Sequence, residues 1–281
     1  MTRTMPSVVA PRRGLSTHSP HSPVAPWRWA VLGAVVGTLV AVLLFAPAQW
    51  LARGVAQATQ GRVQLRAAQG TVWTGSAQLV LGAGSGSDAL TALPSRVHWR
   101  LRPGASGASL ALAAPCCLSH DWLWKLAPTL QGVVMTPADL TAAQPSRWPS
   151  SLLSGLGTPW NTLQLEGTLA LSAQQMRLEL ANGQWQLQGS AQLDAQRMTT
   201  SLSTLKPMGS YRMRWQGGAA PTLTLSTLDG SLQLSGQGSW ANGRLHFDGE
   251  ASAAPERAEA LANLLNIIGR RDGARSIIKV G

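Results

Sequence analysis

From Trp29 to Ala46 the chain runs for eighteen residues without a charge, and Thr38 is the only polar side chain in the run. As a helix rising about 1.5 Å per residue this stretch covers about 27 Å, and its flanks carry it across the ~30 Å hydrocarbon layer. Trp27, Trp29 and Trp50 stand at its two ends, where amphipathic rings favour the headgroup region. The pattern predicts an uncleaved transmembrane helix over 27–50. A secretory signal has an apolar core of about 7–15 residues, and the Pro47 beside Ala46 and Ala48 disfavours cutting there. A buried helix of a soluble domain would carry a polar face, and this one has none. Gly33 and Gly37 form a G-x-x-x-G pair at the spacing that lets a second helix approach, a spacing also common in any glycine-rich span.

Beyond the span the period changes from helical to two. Leu163, Leu165, Leu169 and Leu171 alternate with Gln164, Glu166 and Thr168, the mark of a half-buried strand. Met176, Leu178 and Leu180 continue to Asn182-Gly183, a step suited to a tight hairpin, and Trp185, Leu187, Ala191 and Leu193 follow. Tyr211, Met213 and Trp215 alternate with arginine and glutamine. Leu223 and Leu225 lead to Asp229-Gly230, then Leu232, Leu234 and Trp240, then a second Asn-Gly step at Asn242-Gly243 before Leu245 and Phe247. The first half repeats the device through Trp73, Ala77, Leu79, Leu81, Val97, Trp99, Leu101, Leu110 and Leu112. The pentapeptide Gly-Ser-Ala-Gln-Leu occurs at 75–79 and again at 189–193, which suggests two related halves. Glycines inside strands (Gly75, Gly167, Gly189, Gly236) predict bulges or bends, and so a curved sheet.

Two helices are expected among the strands. Ser119 caps a segment from His120 to Leu130, where Trp122, Leu123, Leu126 and Leu130 fall on one side. Pro255 opens a C-terminal helix with Glu256 and Glu259 in its first turn, Leu261, Leu264, Leu265 and Ile268 on one face, and Gly269 at its end. The fold class is mainly β: a single N-terminal transmembrane helix, then a curved antiparallel, sandwich-like sheet with a short internal helix and a C-terminal helix. The expected organisation is a disordered cytoplasmic tail (1–26), the transmembrane helix (27–50), a first β-rich half (51–130), a Pro-rich connection (131–160), and a second β-rich half with the C-terminal helix (161–281).

Charge adds the orientation. Of 23 basic residues, Arg3, Arg12, Arg13 and Arg28 lie at or before the start of the span, and all 12 acidic residues follow it. The basic flank keeps the N-terminus cytoplasmic and places the rest in the periplasm. The net charge of +11 is scattered and only three lysines occur, which excludes a nucleic-acid stripe and suits an anionic membrane surface. Cys116 and Cys117 are adjacent. They read as two partly buried thiols, with vicinal or intermolecular oxidation as the alternative, and His120 alone does not complete a metal site. His18 and His21 fall in the tail. His98, His120 and His246 have no spaced partner, so a hydrolase would need His98, His120 and Asp121 to converge. The glycines at 82–86 form a hairpin loop rather than a phosphate cradle, since no helix follows. No catalytic, metal-ligating or cofactor-binding residues are assigned.

Three short motifs carry a resemblance. Pro47-Ala48-Gln49-Trp50-Leu51 closes the span, Gly70-Thr71-Val72-Trp73-Thr74-Gly75 follows, and Leu264-Leu265-Asn266-Ile267-Ile268-Gly269-Arg270-Arg271 lies near the end. Over about residues 27–281 the chain resembles the type II secretion system protein N family. The resemblance implies an accessory, single-pass component of the bacterial inner membrane, with a scaffolding or assembly role in exporting folded periplasmic proteins through an outer-membrane secretin. It implies no cofactor and no active-site residues. Its expected partners are the secretin, the inner-membrane platform proteins and inner-membrane lipid. The basic C-terminal segment supplies the candidate contact residues Asn266, Arg270, Arg271, Arg275 and Lys279. A rival reading comes from the repeated L-x-L strands, which also resemble the AsmA-like family and imply a periplasmic lipid-handling protein with an apolar trough.

Overall fold

The computed structural model describes residues 27–84, 90–181, 183–241 and 244–281. The tail with His18 and His21, the end of the 82–86 loop, Asn182 and the Asn242-Gly243 step lie outside the described residues. The chain forms two units, one ending at Leu43 and a second from Leu44 to Gly281.

Helix α1 (Trp27–Phe45) has nineteen residues with every side chain exposed and no acid, and is long and apolar enough to cross a membrane. The helix stops earlier than its hydropathy predicts. Pro47 keeps Ala46 out of helical geometry, and a separate helix α2 (Ala48–Ala58) begins after it.

The second unit is built on one antiparallel sheet. Its strands are β1 (Val63–Gly70), β2 (Thr74–Gly82), β3 (Leu90–Gly104), β4 (Gly107–Ala113), β5 (Trp122–Thr129), β6 (Gly132–Pro137), β7 (Ser146–Pro149), β8 (Glu166–Ala181), β9 (Gln184–Thr199), β10 (Gly209–Gln216), β11 (Thr222–Gly230), β12 (Leu232–Ala241), β13 (Arg244–Ala253), β14 (Arg270–Asp272) and β15 (Arg275–Val280). Strand order follows the chain, except that β7 pairs beside β6 on β8 and β15 lies inside β14. The sheet is open and curved, with β1 and β14 at its two ends.

Cross-strand partners share a face, so the registers trace one apolar surface across the sheet. Gly75, Trp99, Leu112 and Trp122 fall in one row; Leu126, Met135, Leu178 and Leu187 in another; Ala191, Trp215 and Leu223 in a third. Three clusters cover parts of this face. Helix α2 lays Ala48 and Leu51 against Ala77 and Trp99. A 3-10 segment (Ser150–Leu156) brings Leu152 to Leu93, Ala114 and Cys117. Helix α3 (Trp160–Leu163) and helix α4 (Ala258–Ile268, after a 3-10 turn at Pro255–Arg257) close the largest core over Leu169, Met198, Tyr211, Leu232 and Ala251. Leu261, Leu264 and Leu265 are fully buried there, and the Ser276 hydroxyl donates to the Leu265 carbonyl at 2.6 Å.

Register shifts supply the curvature, at Arg66/Gln69, Glu166/Thr168 and Gln174/Arg177, where Ala67 and Gln175 adopt left-handed backbone. Of the four strand glycines named above, Gly167 sits in such a shift and Gly189 faces another. Gly75 and Gly236 instead leave room for the Trp99 and Phe247 rings.

The expected internal helix at 120–130 is strand β5. Its Trp122, Trp124 and Leu126 turn inward and Leu123 and Lys125 outward, and tryptophan and Pro128 favour that period-two reading over the helical one. The stretch 131–160 holds β6, β7 and the 3-10 segment rather than a bare connection. After Gly269 the chain forms the β14–β15 hairpin.

Candidate docking surfaces

The turn from β1 to β2 is the Gly70–Gly75 motif, and each of its residues has work. Gly70 holds φ +87°, where a Cβ would lie 2.5 Å from the Thr74 carbonyl. Thr71 N–H donates to the Thr74 carbonyl (2.9 Å), Val72 N–H donates to the Ala46 carbonyl (2.9 Å), and Pro47 bridges to Thr71. The Trp99 indole N–H donates to Val72 O at 3.1 Å, and a Cβ on Gly75 would lie 2.5 Å from the Trp99 ring. The motif therefore fastens the stretch that follows α1 to the first strands of the sheet.

The second motif builds the C-terminal corner. Leu264 and Leu265 bury α4, while Arg270, Arg271 and Asp272 form the exposed strand β14 at the sheet edge. Of the five candidate contact residues, two are committed elsewhere: Arg275 reaches Glu250 at 3.3 Å and Lys279 reaches Asp248 at 3.6 Å, both across β13. The sequence hid these pairs because they depend on the β13–β15 register. Asn266 is exposed on α4. Arg270 and Arg271 have no acidic partner among the described residues, and their short charged strand blunts an edge that would otherwise invite indiscriminate pairing.

On the polar face, Arg212 grips Asp194 through two bonds of 2.7 Å each. That hydrogen bond holds the Asp194 carboxyl below its ordinary pKa, against a smaller upward push from burial. Among the described residues, two buried polar groups lack a partner: the Tyr211 hydroxyl, whose pKa burial pushes up, and the Trp124 indole N–H.

No three His, Cys, Asp or Glu side chains gather into a metal site among the described residues. The His120 ring pairs with Ser119, and no hydrogen bond or ion pair among the described residues joins His98, His120 and Asp121. Cys116 and Cys117 are joined to each other in a disulfide, against the expectation of two thiols; Cys117 is buried against Leu152 and its carbonyl accepts from Arg147 N–H.

The described residues thus hold one helix long and apolar enough to cross a membrane, followed by an open antiparallel sheet. Residues 61–278 match the family described as Type II secretion system (T2SS), protein N. The chain belongs to that family, an accessory component of secretion machinery not known for catalysis. No curated protein and no solved structure matches it.

Proposed function

We propose that the chain scaffolds the type II secretion machinery from the bacterial inner membrane. In this reading α1 spans the bilayer with its N-terminus in the cytoplasm, and the sheet stands in the periplasm. Family membership over almost the whole sheet carries the reading. The β14 edge, through Arg270 and Arg271, is the contact offered to the secretin or to the inner-membrane platform proteins. Asn266 borders it, and Arg275 and Lys279 position it through their pairs on β13. Deleting the chain is expected to slow release of exported enzymes, which then build up in the periplasm; unchanged export would overturn the role.

One observation favours a second reading, lipid handling. The apolar face continues past the three cores, where Trp185 is 53% and Leu187 37% exposed, and a groove of about 610 Å³ lies against Leu126, Pro128 and Val133. Mass spectrometry of the purified protein decides this reading. Stoichiometric lipid on the sheet favours it, and its absence removes it.

A further inference from the structure

Strands β1 to β7 contain no Asp or Glu, although they carry Arg66, Arg96, Arg100, Arg102, Lys125 and Arg147. Two of these, Arg66 and Arg96, turn back onto the protein: Arg66 donates to Gln64, and Arg96 donates to Ser76 and the Ala67 carbonyl. The others include a compact group. The register sets Arg100 in one row with Ala111 and Leu123, and Arg102 in the next with Ser109 and Lys125. All four long side chains of this group share the polar face of the sheet. The central strand offers only Ser109 and Ala111, so a shallow trough about 10 Å wide separates the β3 arginines from Leu123 and Lys125. Arg100, Arg102 and Lys125 are exposed and have no acidic partner among the described residues, and Leu123 is 54% exposed in their midst.

The position of this group matters more than its charge. Leu101, between the two arginines, donates its N–H to the Trp73 carbonyl at 2.6 Å, and the neighbouring Val72 donates to Ala46, the residue after α1. Two backbone bonds thus separate the patch from the point where the chain leaves its apolar helix. A tether this short keeps the local concentration of membrane surface permanently high.

We propose that Arg100, Arg102, Lys125 and Leu123 form a headgroup-binding patch that holds the polar face of β3–β5 against an anionic leaflet. The cations take lipid phosphates and Leu123 enters the interface between them. This rests on α1 being a membrane span, and it adds a docked orientation of the sheet to the proposed scaffold.

The test uses the full chain in nanodiscs, with a dye on Leu123→Cys in a C116S/C117S background and a headgroup-nitroxide lipid as quencher. Phosphatidylcholine discs containing phosphatidylglycerol should quench the dye strongly, and phosphatidylcholine discs weakly. About 1 M NaCl, which shortens the Debye length to about 3 Å, should remove most of the difference. So should R100Q/R102Q/K125Q, all exposed changes, while R100E/R102E should drop quenching below the phosphatidylcholine level. Equal quenching in both lipids, or quenching blind to the substitutions, overturns the patch. If the substitutions leave quenching intact but abolish co-purification of secretion proteins, the patch faces protein and the proposal also fails. Carbonate extraction separates the two levels: protein released from membranes sinks the span and the patch together, whereas retained protein without lipid-dependent quenching sinks the patch alone.

Discussion

Replacing Gly75 with alanine tests the packing that fastens α2 and the β1–β2 turn to the sheet. A Cβ there falls 2.5 Å from a carbon of the Trp99 ring and 2.6 Å from the Gln69 carbonyl, both too close for contact. The indole has little freedom to retreat: it is 5% exposed, pressed against Ala48 and Ala77, and bonded to Val72 O. Overpacking of this kind costs about 1–3 kcal/mol, and losing the indole hydrogen bond costs about 1 kcal/mol more. Gly75→Ala should therefore destabilise the protein by about 2–4 kcal/mol. Urea unfolding of the full chain in detergent, followed by tryptophan emission, measures this. A double-mutant cycle with Trp99→Leu separates ring from backbone, because the cost of Gly75→Ala should fall by at least about 1 kcal/mol once the ring is gone. A neutral Gly75→Ala, or simple additivity of the two substitutions, would mean that the Trp99 ring does not press on this position.

Three further outcomes are expected. Leu265→Ala empties a fully buried site under α4 and should cost about 2–5 kcal/mol in the same unfolding assay, against near-neutrality for Ile267→Ala on the exposed side. The Asp194 pKa is lower in the folded chain than in the unfolded one. Its contribution is thus complete above the unfolded carboxylate value and is lost as pH falls through the folded one. Asp194→Asn should therefore flatten the acid limb of the stability–pH curve while leaving Arg212 without its anion. R270E/R271E should leave the melting temperature unchanged, since both side chains are exposed, yet reduce co-purification of secretion components.

Most strands of the second half were legible because their leucines and tryptophans alternate with glutamines and arginines over long runs, which the β8–β9 and β12–β13 registers reproduce, although Leu163 and Leu165, expected in a strand, fall in α3 and just before β8. Helix α4 was legible from Pro255 and its leucine face. Strand β5 was not, because Trp122, Leu123, Leu126 and Leu130 satisfy a helical spacing while Trp122, Trp124 and Leu126 satisfy an alternating one, and pairing with β4 and β6 settles the second. Helix α2 hid behind the span, whose hydropathy runs through Pro47 without registering the break. The setting of the candidate contact residues was half legible. Their basic character was plain from sequence, but the pairing of Arg275 with Glu250 and Lys279 with Asp248 depends on residues that meet only through β13. The joining of Cys116 to Cys117 gave no sequence signal beyond adjacency.

Photo-crosslinking in the producing cell, with the reactive residue in place of Arg271 on β14, asks whether this edge meets the secretion machinery. A membrane-anchored scaffold gives a light-dependent adduct, in the carbonate-resistant membrane fraction, whose second protein is another component of the secretion machinery. Recovery of the chain in the soluble fraction, or adducts to lipid alone, would contradict it.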